Sequence, residues 1–192
     1  MKGACRAAVL GAILLALSAL PAAAQGQLVQ GPLVDELKMG VLAHDVGFLG
    51  DHIESGPDVN FEVLFTPPEL LSVIGSPRPT LGGDLNTAGN TSDAYFGLTW
   101  GITLIQHMFG WGGSLFLNGG LGGAVQNGYT GTAPPGRKDL GSPVLFHLSA
   151  DLGYQITPTL SIEAFLEHMS NANLAPHNAG ITSAGARLGV KF

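Results

Sequence analysis

The feature that most constrains this chain is a regular alternation of apolar and polar side chains in eight short segments. It is clearest in the last segment, where apolar residues from Ala184 to Phe192 alternate with glycine or cationic residues. Because successive side chains of a strand point to opposite faces, the pattern predicts β-strands with one apolar face. The segments are Glu36–His44, Asp58–Phe65, Arg78–Asn86, Asp93–Thr103, Gly113–Ala124, Val144–Tyr154, Thr159–His168 and Ser183–Phe192. Each is close to the length of about 9–11 residues that a tilted strand needs to cross a bilayer.

Composition favours a membrane location for these strands. Charged residues make up only 11% of the chain, which is too few to cover a soluble surface in the usual way. No segment after the N-terminal region has the roughly 20 apolar residues of a spanning helix. The terminal Phe192, on an alternating strand, resembles the insertion signal of Gram-negative outer-membrane barrels. We therefore predict an all-β fold, an eight-stranded antiparallel transmembrane β-barrel, with a soluble β-barrel binding protein as the weaker alternative.

Residues 1–24 have the pattern of a secretory signal peptide. Lys2 and Arg6 precede an apolar run, and Ala22-Ala23-Ala24 precedes Gln25. We expect cleavage after Ala24, which leaves residues 25–192 as a single outer-membrane barrel domain. The one cysteine, Cys5, lies in the signal, so we expect no disulfide and no thiol chemistry in the mature protein.

The charge balance limits the classes of partner. The chain has 8 Lys and Arg residues against 14 Asp and Glu residues, a net charge of −6. An acidic protein is poorly suited to bind nucleic acid, so we predict no nucleic-acid partner. The paired motif His44-Asp45 and Asp51-His52 in the first outer loop could bind a metal, but acidic loops are more often solvated surface. We therefore predict no metal site and no cofactor.

Counting alternate residues along each strand assigns the charged side chains to the inside of the barrel. The lumen of an eight-stranded barrel is filled by side chains, so we predict a paired internal charge network instead of a substrate channel. The inward set is Glu36, Lys38, Glu62, His147, Asp151, Glu163, Glu167, Arg187 and Lys191. The predicted outer loops are Asp45–Pro57, Thr87–Ser92, Val125–Pro143 and Met169–Thr182. The predicted periplasmic turns are Pro67–Pro77, Leu104–Gly112 and Gln155–Pro158.

Two polar residues at the end of the seventh segment are candidates for a catalytic site. His168 and Ser170 are two positions apart, so on a strand they share one face, and this is the outer face of Leu166 and Ala164. A histidine beside a serine is the pairing of a general base and a hydroxyl nucleophile. Asn171, or nearby backbone N–H groups, could hold the developing oxyanion. The alternative is a polar rim where the strand meets the loop, and spacing alone does not exclude it.

The residues around this pair resemble the lipid A 3-O-deacylase (PagL) family. The matching run is Glu167-His168-Met169-Ser170-Asn171-Ala172, followed by Gly180-Ile181 and a last strand that ends at Phe192. The resemblance implies an eight-stranded outer-membrane barrel that removes an ester-linked acyl chain from lipid A. It implies that His168 is the base, that Ser170 is the nucleophile and that Asn171 is the neighbouring asparagine. It further implies lipid A or lipopolysaccharide of the outer leaflet and outer-membrane lipids as partners, and it leaves a homodimer open.

One position departs from the family pattern. The family has a glutamate after Gly-Ile, whereas this chain has Thr182. A threonine oxygen can accept a hydrogen bond from the imidazole but supplies no negative charge, and loss of the triad acid costs roughly 10⁴-fold in kcat. Three readings stay open: a slow dyad, a substitute acid such as Asp45, or a non-catalytic barrel with a structural or adhesive role.

Overall fold

A computed structural model describes residues 32–108 and 113–192 as a closed barrel of eight antiparallel strands. Each strand pairs with its neighbour in sequence, and β8 closes the barrel against β1. The strands are β1 (Val34–Ala43), β2 (Pro57–Phe65), β3 (Arg78–Asn86), β4 (Asp93–Met108), β5 (Gly113–Gln126), β6 (Val144–Gln155), β7 (Leu160–Ser170) and β8 (Ile181–Lys191). The predicted fold is confirmed, while the predicted signal peptide lies outside the described residues.

Side chains along each strand alternate between buried and exposed, which distinguishes those that fill the lumen from those on the outer wall. In β7, Ser161, Glu163 and Phe165 are buried, whereas the intervening Ile162 is 47% exposed. Leu188 on β8 is 54% exposed in the same way. An apolar outer surface of this kind fits a lipid environment. Within the described ranges, no helix is both long and apolar enough to cross a membrane.

The lumen holds the predicted charge network. Lys38 Nζ lies 2.9 Å from a Glu163 oxygen and 3.2 Å from an Asp151 oxygen. Arg187 pairs with the same two carboxylates and lies 3.3 Å from Glu62. The pairing predicted for these residues is therefore confirmed. Lys191 differs, since it is half-buried near the open end of the lumen and donates a hydrogen bond to the amide oxygen of Gln155.

The strand ends differ from the sequence-based boundaries. The predicted turn Leu104–Gly112 is wrong in its first half, because β4 continues to Met108. The β4–β5 ladder shifts register between Thr103 and Ile105 and again before Met108, so the alternation is lost there although the strand continues. Strand β7 reaches Ser170 and β8 begins at Ile181, which shortens the last predicted loop at both ends.

Three connections at the rim opposite the chain's C-terminus bear on the site. We call residues 44–56 loop 1, residues 127–143 loop 3 and residues 171–180 loop 4. Below them, a small apolar cluster fills this end of the lumen. It contains Tyr95, Ala124, Leu140, Leu145, Met169 and Ile181. Because Met169 and Ile181 pair across β7 and β8, the cluster anchors the ends of these two strands from inside.

Candidate active site

The structure brings His168, Ser170 and Thr182 together on the outward face of β7 and β8. The register pairs Met169 with Ile181 and His168 with Thr182, so the histidine and threonine side chains emerge side by side. His168 Nδ1 and Thr182 Oγ1 form a hydrogen bond of 2.8 Å. His168 and Ser170 are half-buried, whereas Thr182 is only 2% exposed. The histidine is thus held through Nδ1, and Nε2 is the ring nitrogen that takes no part in this bond.

A glycine makes room for this pair. A methyl group on Gly180 would lie 2.8 Å from His168 Cε1 and 3.1 Å from Ser170 Cβ. It would also lie 2.9 Å from the backbone oxygen of Met169, which cannot move aside without distorting β7. The imidazole and the serine side chain therefore converge over Gly180, and any side chain there would displace them.

Asn171 has a different arrangement from the one the sequence suggests. Its amide nitrogen donates to the backbone oxygens of Leu140 at 2.8 Å and His177 at 2.6 Å. Its backbone N–H donates to the Asn178 side chain. One amide hydrogen joins loop 4 to loop 3 and the other closes loop 4 on itself, so the Asn171 side chain is a structural link. Because the Asn171 backbone N–H is also engaged, the backbone candidates for an oxyanion after Ser170 are the N–H groups of Ala172 and Asn173. Ala172 and Asn173 there have left-handed φ angles of 53° and 62°.

Asp45 lies beside the site but does not contact His168. Its carboxylate accepts hydrogen bonds from Lys138 Nζ at 2.6 Å and from the backbone N–H groups of Ile53 and Glu54 at 2.8 and 3.0 Å. The next residue, Val46, donates its backbone N–H to the backbone oxygen of Thr182 at 2.7 Å. Asp45 is therefore an organiser of loop 1, and the substitute-acid reading loses its geometric support.

The two histidines of loop 1 are engaged with protein groups. His44 lies 2.7 Å from Asp58 Oδ2 and 3.2 Å from Glu54 Oε2. Burial alone would lower the pKa of His44, but these carboxylates outweigh burial and raise the pKa to about 9. His52 contacts the backbone oxygen of Asp45. Among residues 32–108 and 113–192, no group of three or more His, Cys, Asp or Glu side chains is arranged to hold a metal.

Lys138 is the residue that sequence reasoning missed. The sequence predicts Lys138 only as an outer-loop cation that, with Arg137, could meet lipid A phosphates, yet its side chain is 1% exposed. It reaches the backbone oxygen of Gly180 at 2.6 Å, the same glycine that packs against His168 and Ser170. No local pattern could have found this contact, because Lys138 and Gly180 lie on different loops, 42 residues apart in the chain.

The fold and the site define a class of protein. A closed barrel with an apolar outer wall and a histidine–serine pair on that wall is an outer-membrane β-barrel with hydrolase-type residues at its rim. The model of the lipid A 3-O-deacylase (PagL) family matches residues 67–191, a range that includes His168, Ser170 and Thr182, and the chain belongs to this family. The protein is therefore located in the outer membrane.

Solved structures show the same fold. The outer membrane enzyme PagL superposes with a TM-score of 0.59 at 17% identity, over 82% of this chain and 99% of that one. The N-terminal β-barrel domain of Pseudomonas aeruginosa OprF gives 0.52 at 12% identity, over 85% and 100% of the two chains. Neisserial surface protein A gives 0.51 at 12%, over 82% and 96%. At these identities the likeness concerns the barrel alone. No curated protein matches the sequence.

Proposed function

We propose that this protein is an outer-membrane ester hydrolase that removes a fatty-acyl chain from lipid A or a related acylated glycolipid. Ser170 is the nucleophile and His168 is the general base. The observation that carries the proposal is the pair of these side chains on the lipid-facing wall, with His168 held by Thr182. The chemistry requires no cofactor and only one barrel, because all three residues come from adjacent strands of one chain.

The outward face of β7 suits a lipid substrate. Ile162, Ala164 and Leu166 share this face with His168 and Ser170, and the two polar residues lie at its rim. An acyl chain in the bilayer would contact the apolar residues, while the ester bond between chain and headgroup would lie near the rim. A substrate in the outer leaflet can thus reach the serine by lateral diffusion, without entering the lumen.

The reaction follows from the two side chains. His168 Nε2 takes the proton of Ser170 Oγ as the oxygen attacks the ester carbonyl, and the carbonyl oxygen becomes an oxyanion. Backbone N–H groups after Ser170 are the candidate donors to this charge. Collapse of the tetrahedral intermediate breaks the ester bond, and the imidazolium returns its proton to the departing sugar oxygen. Water, deprotonated by His168, then attacks the acyl-serine, the bond to Ser170 Oγ breaks to release the fatty acid, and the imidazolium returns its proton to Ser170 Oγ.

Thr182 takes the place of the acid in this scheme. With Nδ1–H donating to Thr182 Oγ1, the ring keeps the tautomer in which Nε2 can accept a proton. The hydroxyl orients the ring but does not neutralise the imidazolium that forms. We therefore propose a dyad that works slowly, at a cost of roughly 10⁴-fold relative to a complete triad.

The test is fatty-acid release from purified lipid A by the refolded barrel in detergent. Ser170→Ala should abolish release and leave the barrel folded, as judged by heat-modifiable mobility on gels. Ser142→Ala, which changes a half-buried serine of loop 3, is the matched control and should keep the wild-type rate. Equal release by wild-type and Ser170→Ala barrels would refute the proposal.

A second candidate is a non-catalytic barrel with a structural or adhesive role. Thr182 is the observation that favours it, because the family's acid is absent from a position where the geometry would allow it to reach His168. This candidate predicts no hydrolysis by any form of the protein, including one in which the acid has been restored.

A further inference from the structure

We propose that Lys138 is a positioning residue for acyl transfer. Its buried ammonium group, neutralised by Asp45, holds the Gly180 carbonyl and so fixes the segment that sets Thr182 against His168 and Gly180 beneath Ser170. The inference rests on the function proposed above, and it assigns to a loop cation a role that the serine, histidine and threonine alone do not require.

Loop 1 is held together by hydrogen bonds to Asp45. Asp45 has a left-handed φ of 53° and accepts two backbone hydrogen bonds from Ile53 and Glu54, which close the loop upon itself. His52 contacts the Asp45 backbone oxygen from within the same loop. Asp45 is 0% exposed, so its charge has no solvent to stabilise it and depends on these donors and on Lys138.

Loop 3 is attached to loop 1 through Glu54. Glu54 Oε1 accepts a hydrogen bond from Arg137 Nε at 2.8 Å and one from the Lys138 backbone N–H at 3.0 Å. The Lys138 side chain then turns inward, and its ammonium lies 2.6 Å from Asp45 Oδ1. Both cations therefore join loop 3 to loop 1, but only Lys138 extends beyond this junction.

Both loops in turn contact the site. Lys138 Nζ donates to the backbone oxygen of Gly180 at 2.6 Å, and the Val46 N–H donates to the backbone oxygen of Thr182 at 2.7 Å. These two bonds hold the backbone carbonyls on either side of Ile181, so loop 3 and loop 1 together fix the start of β8. A neutral hydroxyl orients an imidazole only when the two groups are at hydrogen-bond distance and well aligned. With no carboxylate at position 182, the orientation of His168 depends on this placement.

The experiment compares Lys138→Met with Arg137→Met as the matched control. Each variant removes one loop-3 cation that is bound to loop 1, but only the first removes the bond to Gly180. Lys138→Met should lower kcat about tenfold or more, with KM changed by less than about twofold, because the loss is one of alignment and not of lipid binding. Arg137→Met should stay within about twofold of wild type in both constants.

Two further measurements keep the test decisive. The double variant Asp45→Asn with Lys138→Met avoids leaving a buried carboxylate unpaired, so it serves if the single variant fails to fold. In ¹⁵N-labelled barrels, NMR of the His168 ring reports the Nδ1–H hydrogen bond to Thr182. We expect this signal to be protected in wild type and Arg137→Met, and lost or exchange-broadened when Lys138 is replaced.

The outcomes separate this inference from the proposed function. Equal kcat in the Lys138 and Arg137 variants, with an unchanged His168 signal, would overturn the positioning role while leaving the hydrolase intact. If wild-type protein releases no Ser170-dependent fatty acid, the proposed function fails. The His168 signal alone then decides whether Lys138 positions the ring.

Discussion

At the residue scale, the site depends on what a hydroxyl group can do at the position of a carboxylate. Thr182 Oγ1 lies 2.8 Å from His168 Nδ1, which is the distance of an ordinary hydrogen bond. It therefore orients the imidazole ring, and it leaves Nε2 free to act as a base when Nδ1–H is the donor. It lacks the charge that would stabilise an imidazolium on a wall bordered by lipid, where water can do little to replace it.

This difference predicts a gain of function from Thr182→Glu. The new carboxylate would lie opposite His168 in the β7–β8 register and should raise kcat by ten- to roughly 10⁴-fold, the upper limit being the value of a triad acid. Fatty-acid release from lipid A measures the effect. Thr182→Glu combined with Ser170→Ala is the control and should be inactive. If neither wild type nor Thr182→Glu hydrolyses lipid A, the non-catalytic reading is favoured.

At the scale of strands and loops, the sequence predicts the position of the site but not what surrounds it. Alternation placed His168, Ser170 and Thr182 on one outward face because side-chain direction on a strand is fixed by position alone. The Asp45–Lys138 pair joins residues 93 positions apart on two irregular loops, and no period relates them. For the same reason Asn171 looks catalytic in the sequence, whereas its amide joins loop 3 and loop 4.

The end of β1 gives a prediction about pH. The pKa of His44 is raised from 6.5 to about 9 by Asp58 and Glu54, so the folded state holds this proton more tightly than the unfolded chain. The stabilisation is fully present below about pH 6.5 and is lost as pH rises through about 9. It should amount to about 3 kcal/mol, at roughly 1.36 kcal/mol for each unit of pKa.

Urea unfolding of the refolded barrel between pH 6 and pH 10 measures this effect. The midpoint should fall between about pH 6.5 and pH 9 and level off above pH 9, because the folded and unfolded states differ most in bound protons between these two pKa values. His44→Asn should be less stable than wild type at pH 6, and its midpoint should vary little between pH 7 and pH 9. A variant that follows the wild-type pH profile would show that the titrating group is another residue.

At the scale of the whole molecule, the barrel carries its charge inside and its chemistry outside. Arg187 is buried over the Phe165 ring, with its guanidinium carbon 3.5 Å from the ring centroid, and pairs with three carboxylates. None of these groups contacts His168 or Ser170, which lie on the other side of the wall. In the proposed mechanism, stability and catalysis are therefore carried by different sets of residues. The lumen set was predictable because it follows the same alternation as the wall.

Replacement of Arg187 tests this separation. Arg187→Met would leave Glu62, Asp151 and Glu163 with Lys38 as their remaining cation and should destabilise the barrel by about 3–5 kcal/mol. The urea midpoint measures the loss, with Lys191→Met as the control, because Lys191 is half-buried and contacts the neutral groups of Gln155 and Phe116. The fraction that folds should keep its rate of fatty-acid release. A full loss of activity in folded Arg187→Met barrels would contradict the separation.

We propose above that Ser170, on the outer wall of the barrel, cleaves an acyl ester of lipid A in the membrane. Mass spectrometry of lipid A tests it most directly, in Gram-negative cells that express wild type, Ser170→Ala or neither at matched levels in the outer membrane. We predict a lipid A species lighter by one acyl chain in cells with the wild-type protein only. Identical lipid A in all three populations, with wild type folded in the outer membrane, would contradict the claim.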